Sequence, residues 1–211
     1  MNSIKLKSPA KVNIFLDVET PAQKNGFHRI FSLFGKIDLC DEIILKKDEK
    51  ISLKVLSPWK ILEDEENLAY RAGILLKKLT GCGAKIILKK RIPPGSGLGG
   101  GSSNAASVLK GMKKLWNLKI SDKKILEIAL KCGSDVPFFL EETTFALVKG
   151  RGEIVKPVSF RLNAFVVLWF GRPLSTQWVY RELDKIVKTH RISSNWKKNL
   201  FKNVLEIPAF K

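Results

Sequence analysis

The sequence predicts a mixed α+β protein, and three observations carry that prediction. Residues 11–18 alternate apolar and polar with the period of a strand, and further strand-like runs follow as far as residue 56. Between residues 64 and 133 the apolar positions recur at helical spacing, with cap residues in front and glycines behind. Strands and helices do not alternate regularly around the glycine-rich stretch 95–101, as a doubly wound parallel sheet would require.

Taken in order, Val12, Ile14, Leu16 and Val18 fall on one face of the first strand and Lys11, Asn13 and Asp17 on the other, with Pro9 favouring a bend just before it. The polar face is either an exposed strand surface or a lysine and an asparagine converging on a ligand. A turn-rich loop over 21–26 leads to Phe27 and His28, the latter one of two histidines. A lone loop histidine is either a surface residue or, beside an aromatic ring, part of a surface that stacks on and hydrogen-bonds a base. Further strands are expected over 31–39, 42–46 and 51–56. Asp64-Glu65-Glu66-Asn67 opens a helix with Leu68, Ala72, Leu75, Leu76 and Leu79 inward and Gly81 beyond its end, and its acidic first turn complements the helix dipole. Residues 84–90 form the strand that delivers the chain to the glycines, and Ala105, Val108, Leu109, Met112 and Leu115 form a core-facing stripe behind them. Ser121 caps a helix carrying Ile125, Ile128 and Ala129, stopped by Gly133. Asp135 then stands in a corner restricted by Pro137, as a turn residue or as a reactive carboxylate. Residues 150–153 read as a tight turn and domain boundary, 165–170 as a buried strand, Ser175 as the cap of a helix carrying Trp178, Val179, Leu183, Ile186 and Val187, and 196–205 as a weaker helical segment.

Composition narrows the class. The chain has 211 residues, 45% hydrophobic and 27% charged, which suits a globular protein able to bury a core. Its longest apolar run, 164–170, is too short to span a bilayer, and residues 1–5 lead straight into strand-like sequence, so neither a membrane anchor nor a signal peptide is expected. Three scattered cysteines, Cys40, Cys82 and Cys132, lack metal-ligand spacing and fit a reducing cytoplasm. Thirty-eight basic residues against twenty acidic give +18, spread in doublets rather than one tract. That is either a generally cationic solvated surface or a means of attracting nucleic acid or a polyanionic small substrate.

The stretch Pro93-Pro94-Gly95-Ser96-Gly97-Leu98-Gly99-Gly100-Gly101-Ser102-Ser103-Asn104 carries the chemistry. Its glycines let backbone N–H groups approach a ligand closely, and the helix behind it offers unsatisfied amides and a positive dipole end. A loop around the phosphates of a nucleotide is the expectation. No lysine follows the glycines, so it is not a Walker A loop. Gly95, Gly97 and Gly100 satisfy G-x-G-x-x-G, but Pro93-Pro94 interrupts the tight strand-to-glycine turn a dinucleotide fold needs.

The stretch 93–106 resembles the phosphate-binding motif of the GHMP kinase superfamily. Ser8-Pro9-Ala10-Lys11-Val12-Asn13, Gly26-Phe27-His28 and Gly133-Ser134-Asp135-Val136-Pro137-Phe138-Phe139 resemble, in order and spacing, the family of 4-diphosphocytidyl-2-C-methyl-D-erythritol kinases, and Gly150-Arg151-Gly152-Glu153 and Ser175-Thr176 extend the similarity. The resemblance implies a two-domain α+β fold: residues 1–153 as an N-terminal, ribosomal-protein-S5-like ATP-binding domain and 154–211 as the start of a C-terminal α/β domain. It implies transfer of the γ-phosphoryl of ATP to the 2-hydroxyl of the diphosphocytidyl substrate in the non-mevalonate isoprenoid pathway.

On that resemblance Asp135 is the catalytic base and Lys11 its cationic partner. Pro93, Pro94, Gly95, Ser96, Gly97, Leu98, Gly99, Gly100, Gly101, Ser102 and Ser103 hold the triphosphate, with Asn67 near the adenine. Mg²⁺ binds through ATP, with Ser103 as a candidate protein contact. Asn13, Phe27, His28, Thr176 and Tyr180 bind the cytidyl substrate. The implied partners are that substrate and ATP, without nucleic acid or membrane, in a monomer or weak homodimer. The sequence departs from the family pattern at Phe27, where tyrosine is usual, and at Asn203-Val204-Leu205-Glu206 in place of Asn-Asp-Leu-Glu. It also ends at Lys211, before the family's C-terminal glycine-rich motif, which is expected to leave residues 165–170 short of partners and apolar surface exposed. Three alternatives to this enzyme stay open: another small-molecule GHMP kinase, an inactive remnant, and an RNA-binding protein on the S5-like fold.

Overall fold

The computed structural model describes residues 2–162, 166–169, 171, 174–193 and 195–210. By its contacts the chain divides into two compact units that interleave along the sequence. Residues 1–10, 37–94 and 99–142 form the first, and residues 11–36, 95–98 and 143–211 the second. Strands β1 (Ser3–Val18) and β2 (Ile30–Asp48), which pair with each other, contribute residues to both.

In the first unit β3 (Ile51–Leu56) lies parallel to β4 (Gly83–Lys89), which is antiparallel to the C-terminal half of β2. Ile43 stands opposite Leu88 and Leu45 opposite Ile86, and all four are buried, while Lys46, Lys54, Lys85 and Lys89 point outward. This is the period-2 alternation of a sheet with one covered face. Four helices belong to this unit: α1 (Leu68–Thr80), α2 (Gly100–Leu115), α3 (Asp122–Cys132) and α4 (Val136–Leu140). Leu76, Val108, Leu109 and Met112 are fully buried, and each such side chain contributes roughly 1.5–3 kcal/mol of apolar transfer. A Cβ on Gly111 would lie 2.5 Å from Leu45 and Leu6 side-chain atoms, so α2 rests directly on the sheet.

In the second unit the N-terminal half of β2 pairs antiparallel with β5 (Phe145–Gly150), and β5 pairs antiparallel with β6 (Ile154–Pro157). Its core gathers Ile14, Phe15, Phe31 and Leu33, with Phe145, Phe160 and Trp196 packed around them. Helix α5 (Thr176–Ile186) is capped by Ser175, whose Oγ accepts from the Trp178 N–H, and is anchored by buried Val179 and Leu183. A short 3₁₀ turn (Trp196–Asn199) and α6 (Glu206–Ala209) close the described chain.

Several expectations change. Pro9 lies inside β1 rather than before it. The strands expected at 31–39 and 42–46 are one strand. Helix α1 starts at Leu68, because Asn67 is extended and takes the Ala69 N–H on its side chain; Asp64–Asn67 form a preceding turn, so the first helical turn carries no acidic residue. Asp135 leads into the short helix α4, with Pro137 in its first turn. The turn at 150–153 joins β5 to β6, and residues 154–211 fall wholly within the second unit. Of the strand expected at 165–170, residues 166–169 have no regular structure, with Val166 84% and Leu168 73% exposed; its two ends lie outside the described residues. The helical segment expected at 196–205 is helical only in its 3₁₀ turn. The chain then passes through Phe201, whose φ is 66°, and runs beside β1, where Phe201 N–H donates to Ile14 O (2.7 Å), Leu16 N–H to Lys202 O (2.9 Å) and Val204 N–H to Leu16 O (3.1 Å).

Candidate functional site

The glycine loop is built from backbone geometry that side chains resist. Gly95, Gly97 and Gly99 all have positive φ, of 66°, 75° and 68°. Gly99 is the residue before α2, and the first intrahelical bond runs from Ser103 N–H to Gly99 O at 2.9 Å. Helix geometry therefore leaves the N–H groups of Gly100, Gly101 and Ser102 without partners inside the helix, at its positive end.

In the first unit a buried polar network underlies that helix start. Asp41 Oδ1 accepts from the backbone N–H of Arg91 (2.7 Å) and Ile92 (2.8 Å), just ahead of the loop. Asp41 Oδ2 accepts from Asn104 Nδ2 (2.9 Å) and pairs closely with Lys90 Nζ. Asn104 Nδ2 also donates to Ser8 Oγ (3.0 Å), which donates to Ser103 Oγ (2.8 Å). All these side chains are buried. Burial pushes the Lys90 ammonium below its ordinary pKa, and Asp41 opposes that shift. The Lys90 ammonium lies against Gly100, where a Cβ would come within 2.7 Å of it. The sequence reading missed Asp41 and Lys90 because nothing local marks them; they meet across 49 residues.

Asn67 and Asp135 belong to the same unit. Asn67 holds the start of α1, accepting from Ala69 N–H and donating from Nδ2 to Leu62 O (2.8 Å). Leu68, next to it, approaches the loop: its Cδ1 lies 3.5 Å from where a Cβ on Gly101 would stand. Asp135 is half-buried at the start of α4, which packs against α2. Ser103 is fully buried in the network just described.

The second unit holds the other candidates. Lys11 and Asn13 contact each other: Lys11 Nζ donates to Asn13 Oδ1 at 2.6 Å and lies 4.7 Å from the centre of the Phe34 ring. Lys11 is only 7% exposed, so their strand face is no open surface. Further along that face buried Asp17 takes His190 Nε2 (2.7 Å) and the Ser193 N–H (2.8 Å). The glycine-loop segment 95–98 is tied down by Lys11 N–H to Leu98 O (2.9 Å) and Leu174 N–H to Gly95 O (3.0 Å).

His28 and Tyr180 also meet, with ring centroids 4.9 Å apart. His28 Nε2 lies 2.9 Å from Asp184 Oδ1, a partner one helical turn beyond Tyr180 that the i, i+4 spacing makes legible in retrospect. Phe27 is 48% exposed, with the Arg151 guanidinium 4.4 Å from its ring centre. Thr176 is exposed in the first turn of α5. A cleft of about 570 Å³ lined by Gln23, Asn25, Arg29, Arg151 and Glu153 flanks the Phe27–His28 loop. A cleft of similar size around Lys47 and Trp116 contains none of the candidate residues. Among the described residues no group of three or more His, Cys, Asp or Glu is placed to hold a metal ion.

Comparison with known proteins gives these residues a context. The family profile described as the GHMP kinases N terminal domain matches residues 67–142. The 4-diphosphocytidyl-2-C-methyl-D-erythritol kinase of Alkaliphilus metalliredigens is 36% identical over 190 residues, covering 87% of this chain and 64% of that protein. The enzyme of the same description from Geobacter metallireducens is 36% identical over 221 residues, covering 99% of this chain and 74% of that one. A crystal structure of 4-(cytidine 5'-diphospho)-2C-methyl-D-erythritol kinase superimposes with a TM-score of 0.74 at 31% identity, covering 98% of this chain and 77% of that one. The chain spans 61–64% of the length of the first three curated relatives it matches.

Proposed function

As the chain belongs to the family of 4-diphosphocytidyl-2-C-methyl-D-erythritol kinases, we propose that it transfers the γ-phosphoryl of ATP to the 2-hydroxyl of 4-diphosphocytidyl-2-C-methyl-D-erythritol. The observation that carries this is the glycine loop with three left-handed glycines, opening into α2 over a buried network that fixes its ends.

In this reading the N–H groups of 95–102 cradle the triphosphate, and Asn67, held beside the loop by the Leu68–Gly101 approach, borders the adenine. Asp135 accepts the proton of the attacked hydroxyl. Lys11 stabilises the charge developing on that oxygen, while Asn13, which already fixes the Lys11 ammonium, orients the substrate. Phosphoryl transfer asks mainly for positioning and charge stabilisation, so so small a set suffices. When bound, Mg²⁺ would supply charge neutralisation for the phosphates. Ser102, partly exposed at the start of α2, would offer it a hydroxyl, whereas the Ser103 hydroxyl is buried against Ser8. Phe27, His28, Thr176 and Tyr180 bind the cytidyl end. The protein acts in the cytoplasm, where its three free cysteines stay reduced, as a monomer or weak homodimer without nucleic-acid partners.

The test is release of ADP from Mg-ATP on addition of the diphosphocytidyl substrate. A folded 211-residue protein that shows no turnover would sink the catalytic reading. Asp135→Asn is expected to lower kcat by at least about a hundredfold, with nucleotide affinity within about twofold of wild type. A variant that keeps full activity removes Asp135 as base.

A further inference from the structure

We propose that Asp184 is a positioning residue that fixes the tautomer of His28 and so makes the site choose a pyrimidine bearing an amino group over one bearing a carbonyl. The inference rests on the reading of Phe27, His28 and Tyr180 as the pyrimidine pocket.

Helix α5 is oriented by buried Val179 and Leu183, which leaves Tyr180 and Asp184, four residues apart, stacked on one face of the helix. That face meets His28. The Tyr180 ring lies against the imidazole at 4.9 Å and 36°, and Asp184 Oδ1 lies 2.9 Å from Nε2. The His28 side chain is 8% exposed and that of Asp184 31%. The ring is thus held by stacking on one side and by a carboxylate on its edge.

A carboxylate only accepts hydrogen bonds, so Nε2 must carry the proton it receives. In the neutral ring Nδ1 then holds the lone pair, because the partner of one imidazole nitrogen sets the state of the other. Presented to the base of the proposed pocket, that acceptor would match the exocyclic amine of cytosine. Uracil presents a carbonyl oxygen in the same place, and two acceptors facing each other repel. A site built to take one hydrogen-bonding group rejects the analogue lacking it far more strongly than an apolar pocket distinguishes a methylene.

The experiment measures binding of CDP and of UDP to the full 211-residue chain by calorimetry, which needs no turnover. Wild type is expected to bind CDP at least about tenfold tighter than UDP. Asp184→Asn lets a side-chain amide donate to Nε2, which moves the ring proton to Nδ1. The ratio is expected to fall to about one or to invert, with CDP weakened and UDP strengthened. Asp184→Ala, which removes the constraint altogether, is expected to bring the ratio to about one. Either variant, folded and keeping the wild-type ratio, overturns the role of Asp184 while leaving the pocket reading intact. A wild-type chain that binds neither nucleotide, or both equally, overturns the pocket reading and this inference with it.

Discussion

Glu42, on the outer face of β2, receives two ammonium groups: Lys5 Nζ at 2.6 Å and Lys89 Nζ at 2.8 Å. Hydrogen bonds from Lys5 and then Lys89 hold its carboxyl down to about 2, from an ordinary 4.5. A carboxylate whose folded pKa is depressed contributes stability above its unfolded pKa and loses it as the pH falls toward the folded one. Glu42→Gln is therefore expected to flatten the fall of Tm between about pH 4.5 and pH 2. Identical acid limbs in the two proteins would show that the cluster adds nothing. Such single residues were only half legible in the sequence. Lys11 and Asn13 were visible as neighbours on one strand face. The burial that takes Lys11 out of solvent comes from Phe34 and the surrounding unit, which no local pattern reports.

At the scale of elements, the helices were well marked because capping is local chemistry. Ser121 takes the Lys124 N–H, Ser175 takes the Trp178 N–H, and Gly81 closes α1 at a φ of 75°. The start of α1 lies at Leu68 rather than Asp64 because Asn67 out-competes the preceding acids as cap. Strand joining was less legible: residues 31–39 and 42–46 form one strand because β4 and β5 pair with its two halves. The glycine loop makes a prediction at this scale. A Cβ on Gly100 would sit 2.7 Å from Lys90 Nζ and 2.9 Å from Ile92 Cγ2, and the ammonium is held in place by Asp41. Gly100→Ala is expected to cost about 1–3 kcal/mol in stability and to weaken ATP binding about tenfold or more by shifting the first turn of α2. Thermal unfolding and a nucleotide titration measure the two effects. An alanine variant with wild-type affinity would show that the start of the helix does not set the phosphate site.

At the scale of the whole molecule, the Lys90–Asp41 pair joins segments far apart in sequence: β2, the end of β4 and, through Asn104 and Ser8, α2 and β1. Breaking one partner leaves a buried charge alone, whereas replacing both by apolar groups removes the desolvation cost as well. Lys90→Met is expected to destabilise the chain by about 3–5 kcal/mol, and Lys90→Met with Asp41→Leu to recover much of that loss. Denaturant unfolding measures both, and a single variant within about 0.5 kcal/mol of wild type would show the pair to be marginal.

By itself the sequence determined the α+β class, the helix caps, the glycine loop and, through four ordered motifs, the family. These are properties of spacing and composition, which the chain carries before it folds. The tertiary structure decided that the Lys11 face is buried, that residues 201–204 hydrogen-bond alongside β1, that His28 is gripped by Tyr180 and Asp184, and that Asp41 and Lys90 underpin the glycine loop. Those facts depend on partners 23 to 188 residues away, and which polar group is desolvated beside which other exists only once the chain has brought them together.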